Sequence, residues 1–368
     1  MNKMIVANLV HRPIRSVISI FAVAVEVTLI LLIVGLALGI LDDNKARQRG
    51  IGADVMVRPP GSSNLAAFSG APAPIGVAKI LLKQPHVVAV APVVTQVTST
   101  TNIEVIYGID PVTFQEVGGP FHFLQGHGFE KPDDMIVDDI FATGSKVHVG
   151  DMVEVLNNRF QVAGIVPHGR GARRYIQLST MQDLVGAPNK ASMFYVRLDN
   201  PTNGDAVAAE FRKIPGMENY NILSLSEWLT ATSVENIPGL SIFIRVVIGI
   251  AVIIGFIVIF QSMYTAVMER TREIGILKSL GASKLYIVRV ILRETLLLAV
   301  AGILVGILVS ELARAGIVHK FPTLRVLPLT WGWVIRATLI AVGGAMLGAI
   351  YPAFKAAQKD PIDALAYE

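Results

Sequence analysis

"VISIFAVAVEVTLILLIVGLALGIL", residues 17–41, holds a single charged side chain, Glu26, in 25 residues. A helix of about 20 such residues is long enough to cross the ~30 Å hydrocarbon core of a bilayer. Three more apolar runs of similar length follow at 242–263, 288–309 and 331–351. The sequence therefore predicts four transmembrane helices, with a long segment between the first and the second.

The overall composition agrees with a membrane protein. The 368 residues are 52% hydrophobic and 16% charged, whereas soluble proteins carry about 25% charged residues. The sequence contains no cysteine, which excludes a disulfide framework, a thiol nucleophile and a thiolate metal site. The first apolar run exceeds the ~7–15 residues of a signal-peptide core, so we expect an uncleaved anchor rather than a signal peptide.

The distribution of lysine and arginine predicts the orientation. Residues 1–15, 266–293 and 352–368 together hold eleven of them, whereas the short segment 312–330 holds three. Because positively charged flanks stay in the cytoplasm, both termini are predicted to be cytoplasmic and residues 42–238 external. The external segment has a net charge of −4 and the rest of the chain +8. The basic excess therefore favours membrane lipid and gives no reason to expect nucleic acid.

These patterns predict the following organisation along the chain. It comprises a cytoplasmic amphipathic helix (1–15), spans at 16–41, 240–265, 286–311 and 331–351, an external domain (42–238), a cytoplasmic segment (266–285), a short external loop (312–330) and a cytoplasmic tail (352–368). The localisation that follows is a multi-pass protein of the cell inner (plasma) membrane, with its large domain periplasmic or extracellular.

The external segment alternates strand-like and helix-like stretches. Strand-like runs lie at 53–59, 86–94, 102–110, 151–158, 159–167 and 192–200, and helical runs at 75–84, 179–186 and 203–214. This mixture predicts an α+β domain, with two lobes. The Pro/Gly/Ser-rich stretch 58–76 is typical of a flexible loop.

The external segment offers little that could carry catalysis. The chain contains no "GxxxxGK[ST]", "HExxH" or "GxSxG" pattern, so we expect no catalytic site, no metal site and no bound cofactor in it. His122 and His127 lie near Asp133 and Asp134, a spacing that permits a metal site. Histidines on a surface loop are the simpler interpretation, and we favour it.

The Gly-rich run "HGRGARR" at 168–174 contains Arg170, Arg173 and Arg174. Three guanidinium groups on one loop can bind an anionic ligand or an adaptor protein. A solvated loop tip is the simpler interpretation, because loops run over the surface and are polar.

Two carboxylates lie within the predicted spans. Glu26 is near the middle of the first, where burial is costly, so we expect it to face other helices, a polar cavity or a protonated partner. It either takes part in handling protons or substrate, or forms a structural hydrogen bond to a neighbouring helix, which we favour. Glu294 lies at the cytoplasmic start of the third span, where snorkelling to the interface explains it. "GLALG" (35–39), "GILVG" (302–306) and "GAMLG" (344–348) are small-xxx-small patterns that permit close helix packing.

"ERTREIGILKSLGAS", residues 269–283, separates the second and third spans. Ile274, Leu277 and Leu280 recur at helical spacing, which predicts an amphipathic helix lying on the inner membrane face. The charged residues Arg270, Glu273 and Lys278 fall off that stripe and are expected to face the cytoplasm. Gly281 is expected to end the helix in a left-handed conformation. Ser283 is then expected to cap the next helix.

This region resembles the signature of ABC transporter permeases of the MacB/FtsX/LolC type, DevC-like exporters included. That family has a charged "ER-x-x-EIG-x-x-[KR]-[AS]-[LIM]-GAs" run followed by "i-x-x-x-[FVI]-l-x-E". The matching residues here are Glu269, Arg270, Glu273, Ile274, Gly275, Lys278, Ser279, Leu280, Gly281, Ala282 and Glu294. The C-terminal "YPAFKAAQKDPIDALAYE" and the N-terminal "ANLVHRPIRS" are similar to the family's ends. "VIYGIDP" and "LQGHGF" follow the order of the MacB-type core domain, with His127 where arginine is usual.

The resemblance implies a non-enzymatic membrane subunit that works with a cytoplasmic ABC ATPase, which binds ATP and Mg. It implies a second permease copy, a homodimer or a related chain, and in some members a periplasmic adaptor and an outer-membrane channel. In that family the 269–283 segment is the coupling helix. The residues that this role assigns here are Glu269, Arg270, Arg272, Glu273, Ile274, Gly275, Lys278, Ser279 and Gly281.

Two functions follow from the resemblance as alternatives. In the first, ATP-driven movement passes through the spans to the external domain, called mechanotransmission, and exports or extracts an amphiphilic substrate. In the second, as in FtsX, the external domain activates a cell-wall hydrolase and nothing is transported. The larger external domain favours the first.

Overall fold

The structure, a computed structural model, describes residues 13–62, 72–98 and 104–359. Its helices are α1 (Pro13–Ile51), α2 (Val77–Leu82), α3 (Pro111–Gly118), α4 (Asp139–Ser145), α5 (Leu178–Leu184), α6 (Gly204–Phe211), α7 (Leu225–Ala231), α8 (Leu240–Glu269), α9 (Thr271–Ser279), α10 (Lys284–Lys320) and α11 (Trp331–Gln358). Its strands are β1 (Val55–Arg58), β2 (Ala73–Pro74), β3 (Val87–Thr98), β4 (Glu104–Ile109), β5 (Gln125–Gly126), β6 (Asp134–Asp138), β7 (Met152–Val155), β8 (Asn158–Val166), β9 (Arg174–Gln177), β10 (Lys190–Ala191), β11 (Met193–Leu198) and β12 (Asn221–Ser224).

Four of the helices, α1, α8, α10 and α11, are long and apolar enough to cross a membrane. The chain divides into two compact units. The membrane unit comprises the residues up to Leu38, Gly239–His319 and the residues from Val326 onward. The external unit comprises Gly39–Pro238 together with Lys320–Arg325.

Two spanning helices are longer than predicted. α1 continues ten residues past the predicted end at 41, and α10 continues to Lys320, so much of the predicted loop 312–330 is helical. The polar residues beyond each apolar run are compatible with a helix, and hydropathy reports only where the apolar run ends. α1 ends where Gly52 takes a left-handed φ of +82°. The predicted helix over 1–15 and the end of the predicted tail, from residue 360, lie largely or wholly outside the described residues.

Small residues bring the spanning helices of the membrane unit close together. A Cβ at Gly302 would lie 2.6 Å from Val23 Cβ, and one at Gly306 would lie 2.8 Å from Ala24 O, so "GILVG" packs against α1. A Cβ at Gly348 would lie 2.9 Å from Phe256 O, so "GAMLG" packs against α8. In these two patterns glycine permits backbone contact between spans, as the sequence predicts.

The external unit is built on one mixed sheet. The order of its ten strands in the described residues is β12-β1-β11-β3-β4-β9-β6-β8-β5, with β7 paired to β8. β4 pairs with β9 and β6 with β8 in parallel, and the other pairs are antiparallel. A separate pair, β2 and β10, is antiparallel. All six predicted strands and all three predicted helices of this unit are confirmed.

The predicted α+β class is confirmed, whereas the two lobes are not. One continuous sheet connects the unit, and its apolar side chains form three clusters rather than two separate cores. The central cluster surrounds Tyr107, Tyr175, Tyr195 and Trp228. The others pack α2 and α6 against one end of the sheet and α4 and α5 against the other. This continuity was not visible in the sequence because β6, β9 and β12 were not recognised as strands.

Candidate functional site

Helix α9 is the short helix between the second and third spans. It ends as predicted: Gly281 has a φ of +91°, and the N–H groups of Ala282 and Gly281 donate to the carbonyls of Leu277 and Lys278, both at 3.0 Å. This is the Schellman arrangement, in which a left-handed residue satisfies the last carbonyls of a helix. The hydroxyl of Ser283 accepts the N–H of Tyr286 at 3.2 Å and so caps α10.

Fewer apolar residues of α9 are buried than the sequence predicts. Ile274 and Gly275 are buried, and Leu277 is half-buried against the core of the membrane unit. Leu280, predicted to continue the stripe, is 80% exposed, and Ile276 is 44% exposed. Leu280 departs from the stripe because it sits at the C-cap, where the chain leaves the helix.

The outer side of α9 combines charged and apolar groups. Glu269, Arg272, Glu273 and Ser279 are all exposed, and the exposed part of Ile276 lies among the same turns. Charge surrounding an apolar contact is the usual character of a protein-binding surface, where apolar area supplies affinity and charged groups supply specificity. We call the exposed residues 269, 272, 273, 276, 279 and 280 the outer face of α9.

Arg270 faces away from the cytoplasmic surface on which the sequence analysis placed it. Its Nη1 donates to Glu294 Oε2 at 3.0 Å and to Oε1 at 3.3 Å. Glu294 is 3% exposed on α10. The snorkelling interpretation of Glu294 is therefore wrong, because its carboxylate lies inside the helix bundle. The ion pair joins the start of α9 to the third span.

Lys278 also faces inward. Its Nζ donates to the carbonyl of Ala357 at 2.9 Å and to that of Lys359. These carbonyls belong to the C-terminal end of α11, where unsatisfied carbonyls and the helix dipole favour a positive charge. Lys278 therefore fastens the end of α9 to the fourth span.

The predicted coupling residues thus fall into two groups. Arg270, Ile274, Gly275 and Lys278 hold α9 to α10, α11 and the bundle core, whereas Glu269, Arg272, Glu273 and Ser279 are exposed. Gly281 forms the exit turn. The sequence contained both groups but gave no sign of which residues faced inward.

Glu26 is the other intramembrane carboxyl. It is 3% exposed, and its Oε1 has no hydrogen-bond partner in the described residues. The carboxyl lies across α8 at Gly255, where any Cβ would overlap Oε2, and a Cβ at Gly344 of α11 would lie 3.9 Å from Oε1. The structural hydrogen bond that we favoured from the sequence is absent from the described residues. The polar contact between α1 and α8 is made instead by Ser19 and Ser262, at 2.6 Å.

In the external unit, Arg170 is held by backbone and aromatic groups. It donates to the carbonyls of Gly119 (2.6 Å), Pro120 (3.2 Å) and Phe114 (3.3 Å). Its guanidinium lies over the rings of Phe121 and Phe114, at 4.5 and 5.0 Å from their centroids. Burial lowers the pKa of Arg170. An external ligand would have to displace these contacts.

Arg173 and Arg174 are buried, with 6% and 5% of their surface exposed. The prediction that they lie on a solvated loop tip is therefore wrong for both. Arg174 donates to Thr98 Oγ1 at 2.8 Å and lies 4.9 Å from the ring centroid of Phe141. The three arginines all have internal partners, and their predicted role in binding a ligand or an adaptor remains a prediction.

Arg173 is the centre of a charged cluster that the sequence analysis missed. It donates to Asp43 at 3.1 Å, to Asp138 at 3.2 Å and to the carbonyl of Thr323 at 3.3 Å. Arg325 extends the cluster, with its Nε 3.6 Å from Asp43. Asp43 lies on α1, and residues 323 and 325 lie between α10 and α11, so the cluster joins three separate segments of the external unit. Asp138 caps α4, and an aspartate before a helix is a pattern that the sequence shows. Its pairing with Arg173, 35 residues further along the chain, could not be read from the sequence.

Asp138 has a perturbed acidity. Its side chain is 1% exposed, and burial raises its pKa to about 6 even though Arg173 and the N–H of Phe141 lower it. His168 and Asp139 lie beside it and contact each other at 3.0 Å. His168 also contacts Arg325, at 2.7 Å.

The sequence left open a metal site formed by His122, His127, Asp133 and Asp134. In the parts of the chain that the structure describes, no three His, Asp or Glu side chains are grouped to hold a metal. His127 Nδ1 contacts the carbonyl of Gly128 at 2.8 Å. Asp134 is occupied by a turn, where it accepts the N–H groups of Glu130 and Lys131, both at 2.7 Å.

Comparisons with known proteins cover nearly all of these elements. The family model of the MacB-like periplasmic core domain matches residues 16–214, and that of the FtsX-like permease C-terminal region matches residues 245–361. The first model alone spans more than half of the chain. Together they cover the first span, most of the external unit and most of the three later spans with α9, and leave residues 215–244 unmatched.

Curated relatives are similar over part of their length. An uncharacterized ABC transporter permease of Methanocaldococcus jannaschii is 24% identical, with 61% of this chain and 59% of that protein aligned. The uncharacterized ABC transporter permease YknZ of Bacillus subtilis is 35% identical over 41% of this chain and 37% of its own length. The macrolide export ATP-binding/permease protein MacB of Bdellovibrio bacteriovorus is 27% identical over 61% of this chain and 37% of its own length. This chain therefore spans less than two thirds of each of these relatives.

A solved structure, the periplasmic region of MacB from Actinobacillus actinomycetemcomitans, is 17% identical with a TM-score of 0.38 and aligns 52% of this chain with 97% of that one. The assignment rests on the family models, which match the four-span organisation with its external domain. The chain belongs to the MacB/FtsX-type family of ABC transporter permeases.

Proposed function

We propose that this permease couples ATP hydrolysis by a separate cytoplasmic ATPase to movement of its external domain, and so exports or extracts an amphiphilic substrate. The observation that carries the proposal is the two-sided character of α9. Its outer face is exposed and combines charge with apolar area, while its inner face is joined to α10 by Arg270 and to α11 by Lys278.

The chain supplies the mechanical part of such a device and not its energy source. The sequence contains no phosphate-binding loop, so ATP and Mg would bind to the partner subunit. The name of the MacB relative joins ATP binding and permease in one protein, which supports a close pairing of the two activities. The positive flanks support a cytoplasmic position for α9 and for both termini.

Movement of α9 would reach the external unit through the spans. α1 is one continuous helix from Pro13 to Ile51, so a tilt at one end displaces the other. At its far end Asp43 pairs with Arg173 and lies 3.6 Å from Arg325, which belongs to the α10–α11 connection. These contacts lie within the external unit and support the proposed mechanical path.

A second permease copy would complete the complex. Four spans enclose little space, and α1, α8, α10 and α11 all expose large apolar side chains. A homodimer that binds two ATPase subunits fits this surface. A periplasmic adaptor and an outer-membrane channel are further partners of the proposal.

The test uses the full chain co-expressed with its ATPase and reconstituted in lipid. Glu273→Lys reverses a charge on the outer face of α9, and Gly281→Leu blocks the left-handed exit turn. Both should abolish stimulation of ATP hydrolysis by an amphiphile, or dissociate the ATPase. Glu116→Lys, an equivalent charge reversal at an exposed site on α3, is the matched control and should leave stimulation unchanged.

Unchanged, amphiphile-stimulated hydrolysis in both variants would refute the coupling role of α9. If instead no amphiphile stimulates the wild-type complex while its external domain retains a cell-wall hydrolase, the signalling alternative would replace transport.

A further inference from the structure

A row of aromatic rings lies along the spans α8 and α11, and the coupling mechanism described above does not use it. On α8, Phe256, Phe260 and Tyr264 recur every four residues, which places them along one side of the helix. Neighbouring rings are stacked, with centroids 6.2 Å apart in both pairs and interplanar angles of 20° and 15°. The ring of Tyr351 on α11 joins them, with its centroid 5.8 Å from that of Phe260. We call these four residues the aromatic row.

The two helices run in the same direction beside this row. A Cβ at Gly348 would lie 2.9 Å from Phe256 O, and the next contact along both helices joins Tyr351 to Phe260. Because α8 continues to Glu269 and is followed by α9, the later end of the row lies on the α9 side of the membrane unit. That is the side that the positively charged flanks predict to be cytoplasmic.

Lys355 of α11 lies at that end of the row. Its Nζ is 5.5 Å from the ring centroid of Tyr264 and 5.8 Å from that of Tyr351, an arrangement in which aromatic faces attract a cation. The side chain is exposed, and it forms no ion pair with a carboxylate of the described residues. Since an ammonium group has three N–H donors, it can bind an anion while it stays over the rings.

The aromatic row has the dimensions of one lipid leaflet. Tyr264 directly follows the apolar run 242–263, at the depth where tyrosine is enriched and where lipid headgroups lie. Phe256 is eight residues earlier, which is about 12 Å deeper at the helical rise of about 1.5 Å per residue. The hydrocarbon of one leaflet is about 15 Å thick. An acyl chain can therefore lie along the rings while its headgroup meets Lys355.

A second copy of the chain would cover this surface unfavourably. A symmetric dimer in a membrane has its two-fold axis along the membrane normal, so each residue keeps the same depth in both copies. If the aromatic rows of two copies packed on each other, the two Lys355 ammonium groups would therefore lie at the same depth and repel. A lipid with a negatively charged headgroup would instead neutralise the ammonium.

We propose that the aromatic row and Lys355 bind an anionic phospholipid of the leaflet on the α9 side, with its phosphate paired to the ammonium and an acyl chain along Phe256 and Phe260. A charged N–H donor forms its strongest hydrogen bonds with an anionic oxygen. Phosphatidylcholine carries its own ammonium group, which neutralises its phosphate, so it should bind more weakly than phosphatidylglycerol. The site needs no ATPase, so it can be disproved while the proposed function stands.

The test measures binding of one lipid molecule to the full chain in detergent by native mass spectrometry, with phosphatidylglycerol and phosphatidylcholine titrated separately. Lys355→Gln should weaken binding of phosphatidylglycerol about fivefold, the effect of one lysine near an anionic lipid surface, and leave that of phosphatidylcholine unchanged. Lys284→Gln is the matched control: it removes an exposed lysine at the start of α10 and should bind like the wild type. Equal losses in the two variants would assign the effect to overall charge and would overturn the proposal.

A second variant tests the rings without changing any charge. Tyr351→Leu removes one of the two rings beneath the ammonium and should weaken binding of phosphatidylglycerol about twofold to fivefold. Tyr286→Leu, at a 37% exposed tyrosine of α10, is its control and should have no effect. Unchanged binding in Tyr351→Leu would overturn the placement of the headgroup at the aromatic row.

Photo-crosslinking of the wild-type chain locates the lipid even if a variant fails to fold. Phosphatidylglycerol with a diazirine in the middle of one acyl chain is added to phosphatidylcholine nanodiscs that contain the full chain, and its adducts are located by peptide mass spectrometry. Adducts should concentrate on residues 256–264 and 347–355 and exceed those of the phosphatidylcholine analogue. Adducts spread evenly over the four spans, or equal adducts from both lipids, would overturn the proposal.

Disulfide crosslinking tests whether a second copy covers the row instead. Leu347 is 61% exposed and lies one turn before Tyr351 on α11. The chain has no cysteine, so Leu347→Cys reports contact between copies directly. Efficient disulfide formation between two copies, together with no lipid adduct on residues 347–355, would show that a subunit interface covers the row and would overturn the proposal.

Discussion

Arg270 and Glu294 form a buried ion pair at 3.0 Å across 24 residues of sequence, and it joins α9 to the third span. Their side chains are 11% and 4% exposed. Removing one partner of such a pair leaves an uncompensated charge, whereas removing both is often tolerated. The pair therefore has a testable energetic signature.

We expect Glu294→Leu alone to lower the free energy of unfolding by about 3 kcal/mol, and Arg270→Met/Glu294→Leu to recover much of that loss. Thermal unfolding of the detergent-solubilised chain measures both. The control is Arg314→Gln, which breaks the half-exposed pair with Glu311 and should cost less than about 1 kcal/mol. Additive losses in the double variant would contradict an ion pair between these residues.

Lys278 should stabilise the C-terminal end of α11. Lys278→Met removes the ammonium that caps the carbonyls of Ala357 and Lys359, a contribution of about 1 kcal/mol. Amide hydrogen exchange over residues 352–359 should then accelerate about fivefold. Lys278→Arg, which keeps the charge, should show a smaller change. An unaltered exchange rate in Lys278→Met would show that the cap does not stabilise the helix end.

Leu280 should contribute to binding of the ATPase. It is 80% exposed at the end of α9, and burial of a leucine side chain contributes about 1.5–3 kcal/mol. Leu280→Ser should therefore weaken the permease–ATPase complex at least ~10-fold, as measured by titration of the ATPase onto the nanodisc-embedded permease. Leu124→Ser, at a 57% exposed leucine of the external unit, is the matched control. Equal affinities for the two variants would exclude Leu280 from the interface.

Asp138 should make the stability of the external unit depend on pH. Burial raises its pKa to about 6, above the ~3.9 of an aspartate in an unfolded chain, so between these values the folded protein holds a proton that the unfolded chain has lost. Stability should therefore fall by roughly 3 kcal/mol as the pH rises from about 4 to 6, and then level off.

Asp138→Asn should remove that slope, because asparagine still caps a helix but does not titrate. Fluorescence of the buried Trp228, in a background with Trp331 and Trp333 replaced by phenylalanine, follows unfolding of the external unit. His168→Gln tests separately whether the neighbouring histidine contributes to the slope. A slope that persists between pH 4 and 6 in Asp138→Asn would assign it to another group.

Much of the chain's architecture could be predicted because its signals are local. The spans follow from runs of apolar residues, six strands from alternation, and the turn after α9 from Gly281, since only glycine adopts a φ of +91° at low cost. Leu280 shows where such local signals fail. Helical spacing predicted that its side chain would lie on the buried side of α9, but the helix ends one residue earlier, at Ser279.

The sequence by itself determined four spans, an external α+β domain, the family and the position of the surface helix, because each depends on residue types near one another along the chain. Only the tertiary structure decided that Arg270 and Lys278 face inward, that Arg173 is buried between Asp43 and Asp138, and that Glu26 lacks a partner in the described residues. Whether a charge is paired depends on atoms a few ångströms away in space. For Arg270 and Arg173 these atoms come from segments 24 to 150 residues distant along the chain.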